Sequence, residues 1–195
     1  MARRAPHEHD LLFLDFETGG LSPITNDFVE VGCVRTDPTG RVVQAEYTAK
    51  VFPRKPVDAE AAAINGYNTE KWASEAVDAN VALIKVLSMA RDTMMVCHNT
   101  PFDRSFLEAG MAAYKMRWPG SYHSLDTVSL AMPLLRAGLI PNVRLTTLTT
   151  YFKIPHTAHR AIGDVHACRD VYLRLMEIYG PGVQKHAETW ESGLA

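Results

Sequence analysis

The chain is poor in the features that would make it a secreted, membrane or duplex-coating protein. Its three cysteines, Cys33, Cys97 and Cys168, are odd in number, far apart and without CxxC spacing. That argues against a disulfide framework and a thiolate zinc site, and for reduced core thiols. No apolar run approaches the ~20 residues of a membrane span. Met1 to Asp10 has no apolar core of the signal-peptide kind, so a cytoplasmic protein without a membrane partner is expected. Internal repeats and low-complexity segments are absent. The net charge is only −2, so no basic face advertises a long duplex, although an enzyme that holds a few nucleotides in a cleft needs none. What remains, with 47% hydrophobic and 22% charged residues over 195 positions, is one globular domain with a substantial core.

Leu11-Leu12-Phe13-Leu14-Asp15-Phe16-Glu17-Thr18-Gly19-Gly20 is the central stretch. Its apolar run is too short for a helix and reads as a buried strand closed by the two glycines. Strand side chains alternate, so Asp15 and Glu17 leave the same face, in line with Phe13. Paired carboxylates in apolar surroundings repel each other unless a cation neutralises them, and hard divalent cations suit that donor set. A strand that has merely reached solvent is the competing account.

Phe28 to Arg35 and Arg41 to Phe52 read as further strands of an antiparallel meander, joined by the turn Asp37-Pro38-Thr39-Gly40. Val57 to Ile64 reads as a short helix, closing at Asn65-Gly66. From Ser74, a helix is expected with Val77, Val81, Ile84 and Leu87 along its apolar face. Thr93 to Cys97 reads as a fourth strand and Tyr122 to Leu125 as a short fifth. Between them Thr100 caps a helix with Pro101 in its first turn, and Phe106, Leu107, Met111 and Tyr114 on its packed face. Asp103 shares that face; a capping-box acid explains it as well. Asp126 is accounted for as an N-cap. A short helix over Arg144 to Phe152 and a loop with His156 and His159 precede the last long helix. That helix starts near Gly163-Asp164 and is expected to stop at Gly180-Pro181-Gly182. Its stripe of Cys168, Val171, Leu175 and Ile178 projects back onto Asp164, which a helix-start acid favoured by the macrodipole also explains. The whole is a mixed α/β sheet with helices on its faces.

Asp15, Glu17, Asp103 and Asp164 thus come from one strand end and two helix starts. Four carboxylates in one pocket would require positive charge, and two divalent cations would clamp the attacking and leaving oxygens of a phosphodiester. His159, just before Asp164, is the candidate base, with His156 as its rival.

LDFETGG, HNTPFDRSF and HRAIGD together resemble the three motifs of the DEDDh 3′–5′ exonucleases, the DnaQ-like group that includes the proofreading exonuclease of bacterial DNA polymerase III and ribonuclease T. Glu30-Val31-Gly32, Ile64-Asn65-Gly66 and Leu125-Asp126-Thr127 are also similar to family segments. The histidine type is indicated because Arg160 occupies the place where the sister subgroup has tyrosine. The resemblance implies a ribonuclease H-like, five-stranded mixed sheet flanked by helices. It implies two Mg²⁺ or Mn²⁺ ions on Asp15, Glu17 and Asp164 with Asp103 in support, and His159 deprotonating the attacking water. Thr18, Gly19 and Leu21 would lie along the terminal nucleotide, Asn99 on sugar or phosphate, and Phe102 on sugar or base. For Leu21, Asn99 and Phe102, core packing or turn formation competes. The implied partners are single-stranded 3′ ends, with a polymerase subunit role or a homodimer as further options. The expected layout is a leader over 1–9, an exonuclease domain over 10–182 and a polar tail over 183–195.

Overall fold

The computed structural model describes residues 5–193. A five-stranded sheet runs in the order β3-β2-β1-β4-β5. Its strands are β1 (Asp10–Thr18), β2 (Phe28–Thr36), β3 (Val43–Lys50), β4 (Thr93–Cys97) and β5 (Ser124–Asp126). β1 pairs antiparallel with β2 and parallel with β4; β3 and β5 extend the two edges. The helices are α1 (Ala59–Asn65), α2 (Thr69–Trp72), α3 (Ala79–Met89), α4 (Thr100–Ala113), α5 (Thr127–Arg136), α6 (Leu145–Phe152) and α7 (Ala161–Gly193).

Alternation along β1 divides the core. Leu12, Leu14 and Phe16 pack with Leu83 and Val86 of α3 and Phe106 and Leu107 of α4 on one face. Leu11 and Phe13 pack with Val165, Cys168 and Tyr172 of α7 on the other. A third cluster joins α5, α6 and α7 around Leu134, Leu148, Val171 and Leu175. Asp15 and Glu17 follow Phe13 in phase, so they face α7.

Several expectations need correction. Val81 and Ile84 are exposed, and the buried face of α3 is Ala82, Leu83 and Val86. The helix starts at the Asp78 cap, and Val77 belongs to a strand-like bridge with Val51, so counting from Ser74 set the wrong phase. α2 was not expected. Asn99, with φ of 68°, precedes α4 as its N-cap, and Thr100 lies inside the helix with its hydroxyl donating to the Leu125 carbonyl. α7 does not stop at Gly180-Pro181-Gly182. A glycine ends a helix by turning left-handed, and Gly180 remains helical. Pro181 withholds a single N–H from the ladder. Ile178, expected on the packed stripe, is 46% exposed. Arg3-Arg4 of the expected leader and Leu194-Ala195 of the expected tail lie outside the described residues. Among the described residues, no helix is long and apolar enough to cross a membrane.

Candidate active site

β1 and β4 share a ladder only from Asp10 to Phe13. Beyond it, β4 turns away into α4, and the backbone of Phe16 loses its neighbour on that side. Asp103, in the first turn of α4 and 2% exposed, fills the place: its Oδ1 accepts the Phe16 N–H at 3.0 Å. Asp103 is therefore no capping-box acid. It reaches the end of β1 from the face opposite α7.

On the α7 face, ligand oxygens of Asp15, Glu17 and Asp164 lie within 4.8 Å of one another. Asp103 stands outside that trio, yet its charge is felt at Asp15. Burial first, then Asp103, Asp164, Glu17 and Glu30, hold the Asp15 carboxyl well above its ordinary range. Glu17 is pushed up to about 7 by burial, Asp164 and Glu30, against a lowering contribution from Arg160. Asp103 rises to about 8, chiefly by burial, with the Phe16 bond pulling the other way. The raised carboxyls of Asp15, Glu17 and Asp103 lack compensating positive charge. The donors are all hard oxygens on rigid elements, which suits a divalent cation of the Mg²⁺ class.

The placement of Asp164 depends on β2. Gly32 faces the start of α7, where an added Cβ would lie 2.6 Å from the Ala161 carbonyl carbon and the Ile162 nitrogen. Two residues earlier on the same face, Glu30 is 1% exposed and holds Arg160 through Nε at 3.2 Å and a terminal nitrogen at 3.2 Å. Glycine and glutamate together seat the first turn of α7 directly on the sheet.

The two loop histidines separate. His159 has φ of 68° and an exposed side chain; its backbone N–H donates to Asp164 Oδ2 at 2.9 Å. The His156 side chain is 5% exposed, with Nε2 2.6 Å from Asp164 Oδ1. Three further imidazoles take local roles: His98 on Thr127, His123 stacked on Tyr122, His166 on Glu46.

A cleft of about 530 Å³ opens beside the acids. Glu17, Thr18, Leu21 and Phe102 line it, with Phe16, Ile64 and Asn65. The size suits a small ligand or a terminal nucleotide. Leu21 is 87% exposed, so core packing does not explain it. Phe102 also packs on Phe106, at 5.2 Å between ring centroids. Gly19 serves the turn, its N–H bonded to the Asp27 carbonyl, and does not line the cleft. Asn99 is also away from the lining; its N–H donates to Asp126 Oδ1. Asn26 and Asn65 escaped sequence reasoning as supports. Asn65 donates to the Thr18 carbonyl at 3.0 Å, and Asn26 to the carbonyls of Gly19 and Pro56 at 3.1 Å each. The Ile64-Asn65-Gly66 segment was the available signal for the former.

Comparison with known proteins agrees with this architecture. The family model described as Exonuclease, RNase T, matches residues 12–172. DNA polymerase III PolC-type of Caldanaerobacter subterraneus subsp. tengcongensis is 27% identical over 171 residues, covering 87% of this chain and 12% of that protein. DNA polymerase III subunit epsilon of Treponema pallidum is 26% identical over 174 residues, covering 88% of this chain and 79% of that protein. Escherichia coli exonuclease I in complex with a dA16 oligonucleotide superposes with a TM-score of 0.78 at 21% identity, covering 93% of this chain and 43% of that one. The chain therefore spans only a fraction of the PolC-type relative and less than half of exonuclease I. The sheet order is that of the ribonuclease H-like fold, the match runs from the first acidic strand into α7, and the chain belongs to the RNase T exonuclease family, in its DnaQ-like group.

Proposed function

We propose that this domain is a metal-dependent 3′–5′ exonuclease that releases nucleoside 5′-monophosphates from single-stranded or frayed 3′ ends, with DNA favoured. The observation that carries the reading is the double membership of Glu17. It belongs to the three-carboxylate cluster and also lines the nucleotide-sized cleft. A chain end seated in that cleft would bring its last phosphodiester against the acids. The DNA preference leans on the polymerase relatives and on the dA16 complex of exonuclease I.

Asp15, Glu17 and Asp164 would hold divalent cations of the Mg²⁺ or Mn²⁺ class, with Asp103 in support. When bound, such ions neutralise the cluster and stabilise charge on the attacking and leaving oxygens. The chain's own residues supply the rest. Leu21 and Phe102 offer apolar surface to the terminal sugar and base, and such packing is tolerant of sequence. Thr18 and Gly19 set the turn against which the nucleotide rests. His159, exposed on its left-handed residue beside Asp164, takes a proton from the attacking water. The water oxygen bonds to phosphorus, the bond from phosphorus to the 3′ oxygen breaks, and the shortened strand takes up a proton at its new 3′ hydroxyl.

The test is a single-stranded DNA oligonucleotide labelled at its 5′ end, incubated with the protein and Mg²⁺ or Mn²⁺. A ladder of shortened labelled products and free nucleoside 5′-monophosphates is expected; an intact substrate with both ions overturns the reading. A matched RNA oligonucleotide assayed in parallel decides the preference. His159→Ala is expected to lower the rate about 10²–10⁴-fold, the range for a proton-transfer group, while Mn²⁺ binding measured by calorimetry stays unchanged. An unchanged rate removes His159 as the base.

A further inference from the structure

His156 is a buried imidazole that no step above uses. It sits on the loop before α7 with its side chain 5% exposed, and its Nε2 lies 2.6 Å from Asp164 Oδ1. An ionised carboxylate only accepts, so Nε2 carries the hydrogen. On the other side of the ring, Nδ1 is 3.5 Å from Thr149 Oγ1. Thr149 is 3% exposed and its hydroxyl lies 3.1 Å from the Thr146 carbonyl, so α6 stands directly behind the imidazole.

Asp164 Oδ2 accepts from the backbone N–H of His159 at 2.9 Å and of Arg160 at 3.3 Å. Oδ1 accepts from His156 alone among the described hydrogen bonds. A carboxylate has about four lone-pair sites. The loop backbone occupies the Oδ2 pair, and the site left open lies on Oδ1, the atom His156 grips. The direction of that last lone pair is set by where the imidazole stands. Outer partners of this kind orient carboxylate ligands toward a metal.

We propose that His156 is the positioning residue for Asp164: it fixes the carboxylate so that Oδ1 is presented to a divalent cation shared with Asp15 and Glu17. This rests on the metal-dependent reading above. It divides the labour between the two loop histidines, one buried to aim a ligand, the other exposed for proton transfer.

The test is calorimetric titration of the purified protein with Mn²⁺ alone, without nucleic acid, for the wild type, His156→Leu and His156→Gln. Leucine fills the space without a donor; the glutamine amide keeps a donor at similar reach. His156→Leu is expected to weaken Mn²⁺ binding about 10–100-fold, and His156→Gln to restore binding close to wild type. Circular dichroism melts establish that each variant folds, and His156→Ala serves as the donorless variant if leucine does not fit. Unchanged Mn²⁺ affinity without a donor overturns the proposal. So does a glutamine variant as weak as the leucine one. A protein that binds Mn²⁺ through His156-dependent Asp164 but leaves oligonucleotides intact would sink the exonuclease reading alone. A His156→Leu protein that loses rate at full Mn²⁺ affinity would sink the positioning role alone.

Discussion

At the level of single residues, the proposed function sets folding against activity at Asp15. That residue is hemmed in by Asp103, Asp164, Glu17 and Glu30, and burial adds to the cost of its charge. Near neutral pH, a metal-free protein must either protonate this group or bear the repulsion. Asp15→Asn removes the charge at nearly constant shape. The variant is expected to lose turnover, because a neutral amide neither neutralises nor firmly holds a divalent cation. It is also expected to melt several degrees above the wild type in EDTA at pH 8. A thermal melt beside a single-turnover assay checks both. Lower stability together with retained turnover would contradict the electrostatic account of the cluster. The same tension appears at Asp103, whose bond to the Phe16 N–H makes it a mender of the β1 edge as well as a source of negative charge.

Between elements, the contact that matters most is the one between β2 and the start of α7. Gly32→Ala would place a Cβ against Ala161 and Ile162 backbone, which cannot swing aside as a side-chain tip would. Overpacking of this kind costs about 1–3 kcal/mol, which for a domain of this size lowers the melting temperature by roughly 2–12 °C. Asp164 would be carried away from Asp15, and a shift of about 1 Å at a reacting site can cost ~10²-fold in rate. The expected result is therefore a folded but less stable protein with a disproportionate loss of exonuclease rate. A variant with wild-type rate and melting temperature would show that helix and sheet have room to spare. This scale also separates what local pattern reveals from what it hides. β4 begins and ends where its apolar run does, since Thr93 to Cys97 are all buried. Asp15 and Glu17 share a face because strand periodicity leaves no choice. The phase of α3 was hidden because Val77 looks helical by spacing but pairs with Val51. The meeting of His156 with Asp164 was hidden too: they stand eight positions apart across loop and helix, and only the fold brings that imidazole under the carboxylate. The cleft lining was half legible. Leu21 and Phe102 reach it, whereas Asn99 and Gly19 are spent on backbone turns.

For the whole molecule, the acids make stability depend jointly on pH and metal. Glu17 is raised to about 7 and Asp103 to about 8 in the folded protein, against ordinary unfolded carboxyl values near 4. Between those limits the folded state binds more protons than the unfolded one, so stability falls as pH rises. The contribution is fully present below the unfolded values and is lost by the time pH passes through the folded ones, a window of about pH 4 to 8. In EDTA, the melting temperature is expected to fall steadily from pH 6 to pH 8. On the proposed reading, a divalent cation such as Mg²⁺ or Mn²⁺ would bind the ionised, folded cluster and add stability by mass action. The expected gain on adding Mn²⁺ is therefore small at pH 5.5, where protons already occupy the carboxyls, and large at pH 8. Differential scanning fluorimetry across this grid, with Asp15→Asn as the control, measures the coupling without any nucleic acid. A metal-dependent gain that is the same at both pH values would mean that the cation is held elsewhere. A gain that grows with pH in the wild type and disappears in Asp15→Asn would tie fold, protons and cation to the same small set of oxygens at the end of β1.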